Sequence, residues 1–144
     1  MARRMVIRLS DGTLAKGFSH DFVPGKEALH LQTVQPDGSL GELRILHLQD
    51  IHAIFYVRDF GFGRSRRYTP EDAPWDPPAP PEAGARRLRV TCVWGEVLEG
   101  LCYGYDDERP GFFLFVVEPV ERTFNLERAF FTRHAVSGVE VPAA

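Results

Sequence analysis

Residues 90–117, VTCVWGEVLEGLCYGYDDERPGFFLFVV, read as three consecutive β-strands, and a diverged copy of the same plan lies near the N-terminus. Placing Gly17 on Gly100 puts Gly12 on Gly95, Ile7 on Val90, Leu9 on Cys92 and Leu14 on Val97. It also superposes Phe18, His20 and Phe22 on Leu101, Tyr103 and Tyr105, and Pro24-Gly25 then meets Pro110-Gly111 after a small insertion. Further on, Arg44, Leu46, Ile51, Phe55 and Val57 fall on Arg128, Phe130, Ala135, Val139 and Val141. Apolar positions meet apolar ones at period two and the turn glycines coincide, so the chain reads as an internal duplication.

The first copy divides into short strands. Met5, Ile7 and Leu9 alternate with Val6, Arg8 and Ser10, which is the pattern of a strand with one apolar face. Ser10-Asp11-Gly12, Pro24-Gly25 and Pro36-Asp37-Gly38-Ser39 are turn signals that set off further strands at 13–22, 28–34 and 42–48. A tight turn at Gln49-Asp50 leads into a fifth at 51–57. With five short strands in each copy and no amphipathic helix, the expected fold is all-β, a barrel or a sandwich.

Between the copies runs RDFGFGRSRRYTPEDAPWDPPAPPEAGARR, residues 58–87. Pro70, Pro74, Pro77, Pro78, Pro80 and Pro81 cannot donate backbone hydrogen bonds, so this stretch is a linker and not an inner strand. Phe60, Phe62, Tyr68 and Trp75 predict that part of it packs over the strands. The expected organisation is a first β repeat over 1–57, a Pro/Arg-rich linker over 58–87 and a second β repeat over 88–144. Units this small leave much of their surface wet, so the two are expected to pack together.

Composition narrows the function classes. Lys and Arg number 17 against 20 Asp and Glu, a net charge of −3, which gives no overall pull toward nucleic acid or anionic membrane. No apolar run approaches the ~20 residues needed to span a bilayer, and the first one ends at Arg8, too soon for a signal peptide. Cys92 and Cys102 lie on adjacent predicted strands without CxxC spacing and read as buried free thiols of a cytoplasmic protein. His20, His30, His47 and His52 cluster in the first copy but lack ligand spacing, so no metal is expected. GxSxG, P-loop and HExxH motifs do not occur, and Asp106-Asp107-Glu108 reads as a solvated turn. The expectation is a protein that is not an enzyme and takes no cofactor.

The order of strand, Asp-Gly turn, bent strand with a central glycine, third strand and two strands joined by a tight turn resembles the Sm-like (LSm/Hfq-like) small barrel. With that resemblance the expected architecture is all-β, two tandem five-stranded small barrels of Sm-like or SH3-like type. Leu9-Ser10-Asp11-Gly12 through Gly17 to Leu31 resembles the first Sm motif, and Arg133-His134-Ala135-Val136-Ser137 is similar to the Lys-His box of bacterial Sm-like RNA chaperones. That resemblance implies uridine-rich RNA binding at Arg133 and His134, once per chain, because the first copy carries Gln49-Asp50 there. The run GYDDERPGFFLF is similar to a bacterial regulatory module without assigned chemistry. Arg4-x-x-x-Arg8 followed by Asp37-Gly38-Ser39-Leu40-Gly41 resembles the PilZ signature, which implies cyclic di-GMP.

Two groups of candidate site residues follow. Arg133 and His134 read either as a nucleotide contact, Arg pairing or stacking and His donating, or as an ordinary solvated turn. Arg4, Arg8, Arg64, Arg66 and Arg67, with Arg3, Arg86, Arg87 and Arg89, would form an anion-binding patch if the linker folds back, since guanidinium matches phosphate bidentately. Otherwise they are solvated among Glu71, Asp72, Asp76 and Glu82. The reading adopted is a non-catalytic cytoplasmic binding or regulatory module that contacts another protein through an exposed strand edge or the aromatic linker. Homodimerisation is the companion expectation, with RNA binding and then cyclic di-GMP sensing as the alternatives.

Overall fold

The computed structural model describes residues 3–23, 25–57, 60, 85–103, 105, 108–116 and 126–141. Ten strands form: β1 (Arg3–Leu9), β2 (Leu14–Ser19), β3 (Ala28–Val34), β4 (Leu40–His47), β5 (Ile51–Val57), β6 (Ala85–Cys92), β7 (Val97–Tyr103), β8 (Gly111–Val116), β9 (Leu126–Thr132) and β10 (Val136–Glu140). They pair antiparallel in one sheet, in the order β10-β6-β7-β8-β9-β5-β1-β2-β3-β4. The all-β expectation holds. The arrangement, however, is not a pair of closed barrels, because β5 pairs with β9 and fuses both halves into one open sheet edged by β4 and β10.

The fusion follows from the sequence of the junction strands. β5 reads IHAIFYV, apolar in both phases of the pleat, so it has two faces to bury. Ile54 and Tyr56 join the first core with Met5, Ile7, Leu31 and Leu46, while Ala53 and Phe55 pack into the second with Leu88, Val90 and Leu114. β9 does the same in reverse, Phe130 entering the first core and Phe131 the second. The expected linker ends early, since residues 85–87 already belong to β6. Phe60 packs edge-on to Phe18 at 5.3 Å and its carbonyl accepts a bond from Lys16 Nζ. Phe62, Tyr68 and Trp75 lie outside the described residues.

The strand order reads the same in both halves, β5-β1-β2-β3-β4 and β10-β6-β7-β8-β9. Gly12 and Gly95 take φ of +88° and +97° in the first hairpin of each half, a conformation cheap for glycine alone. Gly17 and Gly100 both face a backbone carbonyl of the next strand, Gln32 O and Phe115 O.

The matching of the later strands needs correction. Leu48 N donates to Glu27 O and Arg133 N to Pro110 O, both at 2.8 Å, so Pro110 takes the place of Glu27 and no insertion precedes it. The extra residues fall between the third and fourth strands of the second half instead. Gly111 and Phe112 face Thr132 and Phe131 as Ala28 and Leu29 face His47 and Leu46. Phe130 therefore stands where Ile45 does, Gly138 where Ala53 does, and Arg133-His134 where Leu48-Gln49 do. This is a one-residue slip, which turns every side chain to the other face. Ala129, Phe130 and Phe131 are apolar in succession, so alternation alone could not fix the phase of β9.

Candidate functional site

Arg133 and His134 occupy the 3-10 turn Arg133–Ala135 between β9 and β10, and both are exposed. The turn is anchored through buried Thr132, whose hydroxyl donates to the carbonyl pair Ile51 O and His52 O at 2.9 and 3.0 Å and lies 3.3 Å from His134 Nε2. The His134 ring lies 5.4 Å from His52, which stacks on Trp94 at 5.8 Å and 14°. The Arg8 guanidinium sits over the same indole, 4.4 Å from its centroid, a cation–π contact. The Arg8 Nε is buried without a hydrogen-bond partner among the described residues. Arg8 and His134, two candidates from opposite ends of the chain, thus meet in one cluster at the seam of the halves. Burial, and then the neighbouring His134 and Arg8, hold His52 below the usual imidazole range, so it is neutral at neutral pH.

Sequence reasoning weighed His52 only as a metal ligand and missed Trp94. The signal for Trp94 was a large aromatic next to the Gly95 turn, where solvent exposure would be expected. It missed as well the work done by the run YDDERPGFFLF. Phe112, Phe113, Phe115 and Tyr103, with Arg109, line a cleft of about 380 Å³. Arg109 and Arg133 share a second cleft of about 250 Å³ with Tyr105 and Phe112.

The remaining candidates are engaged locally. Arg4 is exposed with its guanidinium 5.8 Å over Phe18. The Asp37 turn closes on itself, Oδ1 accepting from Ser39 N at 2.9 Å and Ser39 Oγ at 2.6 Å. Arg64, Arg66 and Arg67 lie outside the described residues. Cys92 and Cys102 are free and buried, as expected, and burial pushes the Cys92 thiol up to about 12 and raises that of Cys102. Neither is a thiolate nucleophile at neutral pH.

His30 belongs to a structural cluster around Asp21. Asp21 Oδ1 accepts from Ser19 Oγ at 3.0 Å and His30 N at 3.1 Å, and Oδ2 lies 2.7 Å from His30 Nδ1 and 3.7 Å from Lys26. Burial pushes this carboxyl up, but the bonds from His30 and Ser19 and the charge of Lys26 outweigh it and hold the group well below the usual range. A depressed carboxylate contributes stability that is full above its unfolded value near ~3.9 and is lost as pH falls through the folded one. Asp21→Asn is expected to cost about 1.5 kcal/mol at neutral pH and to flatten the acid limb below roughly pH 4, as read by urea titrations across pH. An unchanged acid limb would remove Asp21 as its source.

β4 forms one edge of the sheet. Among the described residues it pairs with β3 alone, and Leu40, Leu43 and Ile45 are 66%, 62% and 58% exposed. β10 forms the other edge, pairing with β6, with Val141 just beyond it 68% exposed. No helix of the described residues is long and apolar enough to cross a membrane. No curated protein and no solved structure matches the chain. A family model does match it over residues 1–143, and the chain belongs to that family, described as a family of unknown function (DUF6982).

Proposed function

We propose that this chain is a non-catalytic binding or regulatory module that captures a protein partner by strand addition at β4. The scaffold is read as two small-barrel-like halves, Sm-like or SH3-like in strand order, welded at β5–β9. The observation that carries the reading is the β4 edge itself. Exposed edges in soluble proteins are commonly blunted by Lys, Pro or a bulge. β4, LGELRILH, has neither residue, its bulge against β3 is confined to Gly41-Glu42, and beyond it the strand presents Leu43 and Ile45 outward. Main-chain pairing at such an edge supplies affinity, and alternate side chains supply specificity. Short peptides selected by display on the full chain are expected to be extended and rich in β-branched residues. Leu43→Lys with Ile45→Lys should weaken them by at least ~10-fold, and Arg133→Ala should leave them unchanged. Peptides that bind the double variant equally well would sink the edge reading.

A second reading, RNA binding at the Arg133-His134 turn, is favoured by one observation: Arg133 shares a cleft with a second cation, Arg109, and with the Tyr105 ring. Single-stranded RNA is held by such combinations of cations and stacking rings. Anisotropy of a labelled uridine-rich oligonucleotide tests it. Under this reading binding survives near-physiological salt and weakens with Arg133→Ala or His134→Ala. Binding that vanishes at modest salt would reduce it to nonspecific phosphate contact.

A further inference from the structure

We infer that the partner at the β4 edge is a second molecule of this chain, which docks its β10 there in a head-to-tail, antiparallel pairing. The inference rests on the strand-addition reading above and names its occupant. The template is inside the molecule. β9 is the fourth strand of the second half and pairs with β5, the fifth strand of the first, in the register Ala53–Phe131, Ile54–Phe130, Phe55–Ala129 and Tyr56–Arg128. Among the described residues, β4 is the fourth strand without such a neighbour and β10 the fifth without one.

The correspondence of the halves carries that register over residue by residue. β10 aligns with β5 through the pairs Leu9–Ile51 and Cys92–Val136, Arg8–Ala53 and Thr91–Gly138, and Ile7–Ile54 and Val90–Val139. β4 aligns with β9 through their shared pairing to β3 and β8. Transferred between molecules, the internal ladder sets Gly138 opposite Leu46, Val139 opposite Ile45, Glu140 opposite Arg44, and Val141 opposite Leu43.

Nothing in the transfer required these pairs to match, yet they do. Exposed Ile45 and Leu43 meet Val139 and Val141, while Glu140, 64% exposed in its side chain, meets the opposite charge of Arg44. Glu140 is free to turn, because its contact with Arg89 is long at 3.7 Å and Arg89 keeps Glu99 at 2.8 Å. Apolar and opposite-charge cross-strand pairs are the units that stabilise a ladder. In the internal version Phe130, at the place of Ile45, is fully buried, so Ile45 has the exposure of a core position that lacks its covering strand. The interface is heterologous: each molecule offers one edge of each kind, so association continues until a ring closes or a filament grows.

The test uses the full chain with single new cysteines, Ile45→Cys or Val139→Cys, under mild oxidation. Each variant alone is expected to stay uncrosslinked, and an equimolar mixture to give covalent dimers. As an independent check, light scattering should give a wild-type mass that rises above 16.3 kDa with concentration. Arg44→Glu and Glu140→Arg should each weaken that association roughly fivefold, and the double reversal should restore it. Crosslinking by Ile45→Cys alone would overturn the head-to-tail pairing in favour of β4 meeting β4, with strand addition retained. A strict monomer that still captures displayed peptides at β4 would overturn self-association alone. A monomer that captures none would overturn both readings.

Discussion

Gly100→Ala is expected to lower stability by about 3 kcal/mol, enough to drop the melting temperature by roughly 10 °C in a chain of this size. A Cβ built at Gly100 meets Phe115 O far inside van der Waals contact, with Phe115 C at 2.9 Å and Leu114 Cγ at 3.0 Å. Two of those three atoms are backbone, so no rotamer change can relieve the contact. β7 must instead move away from β8, and the pairs Gly100–Val116 and Leu101–Phe115, the whole of their ladder among the described residues, lie at that point. Gly17→Ala should cost as much, since its Cβ meets Gln32 O, with Gln32 C at 2.8 Å and Thr33 Cα at 2.9 Å, beside the equally short β2–β3 ladder. Gly12→Ala is the comparison: nothing lies within 4 Å, so only the positive φ is strained and about 1 kcal/mol is expected. Thermal and urea unfolding of the three variants decide the matter. Equal, small losses at all three would show that conformational freedom, not close strand approach, is what these glycines supply.

Those glycines were also where the sequence was most informative. Turn residues and period-two alternation placed β1, β3 and β5 closely, because each has a local cause: Gly12 takes a positive φ, and Ile7 and Leu9 alternate with polar neighbours. The pairing of β5 with β9 was not legible. It joins residues such as Ala53 and Phe131, far apart in the chain, and only the double-sided apolar content of IHAIFYV and the ERAFFT stretch hinted at two covered faces. The same content hid the phase of β9. At the candidate site the sequence singled out Arg8 and His134 for separate reasons. It could not join them, since their meeting depends on His52 from β5 and Trp94 from the β6–β7 turn arriving from opposite sides of the seam.

The seam also makes a prediction about cooperativity. Phe130→Ala, a change in the second half of the chain, is expected to cost about 3–5 kcal/mol and to be felt in the first half. Phe130 is 1% exposed and belongs to the core built by Ile7, Leu31 and Ile54, with the Phe22 ring 5.0 Å away and that of Phe113 at 5.1 Å. Its neighbour Phe131 points through the sheet into the other core, with Val90 and Leu114. Because successive residues of β9 fill both cores, neither core can lose its packing without disturbing the strand that completes the other. Phe130→Ala and Phe131→Ala should therefore each shift a single denaturant transition seen alike by fluorescence and circular dichroism. Amide exchange should speed up at Leu29, Leu31 and Ile54 in the Phe130 variant, although all three lie in the first half. Two separated transitions, or unchanged protection at those amides, would mean that the halves fold independently and that the β5–β9 ladder merely rests between them.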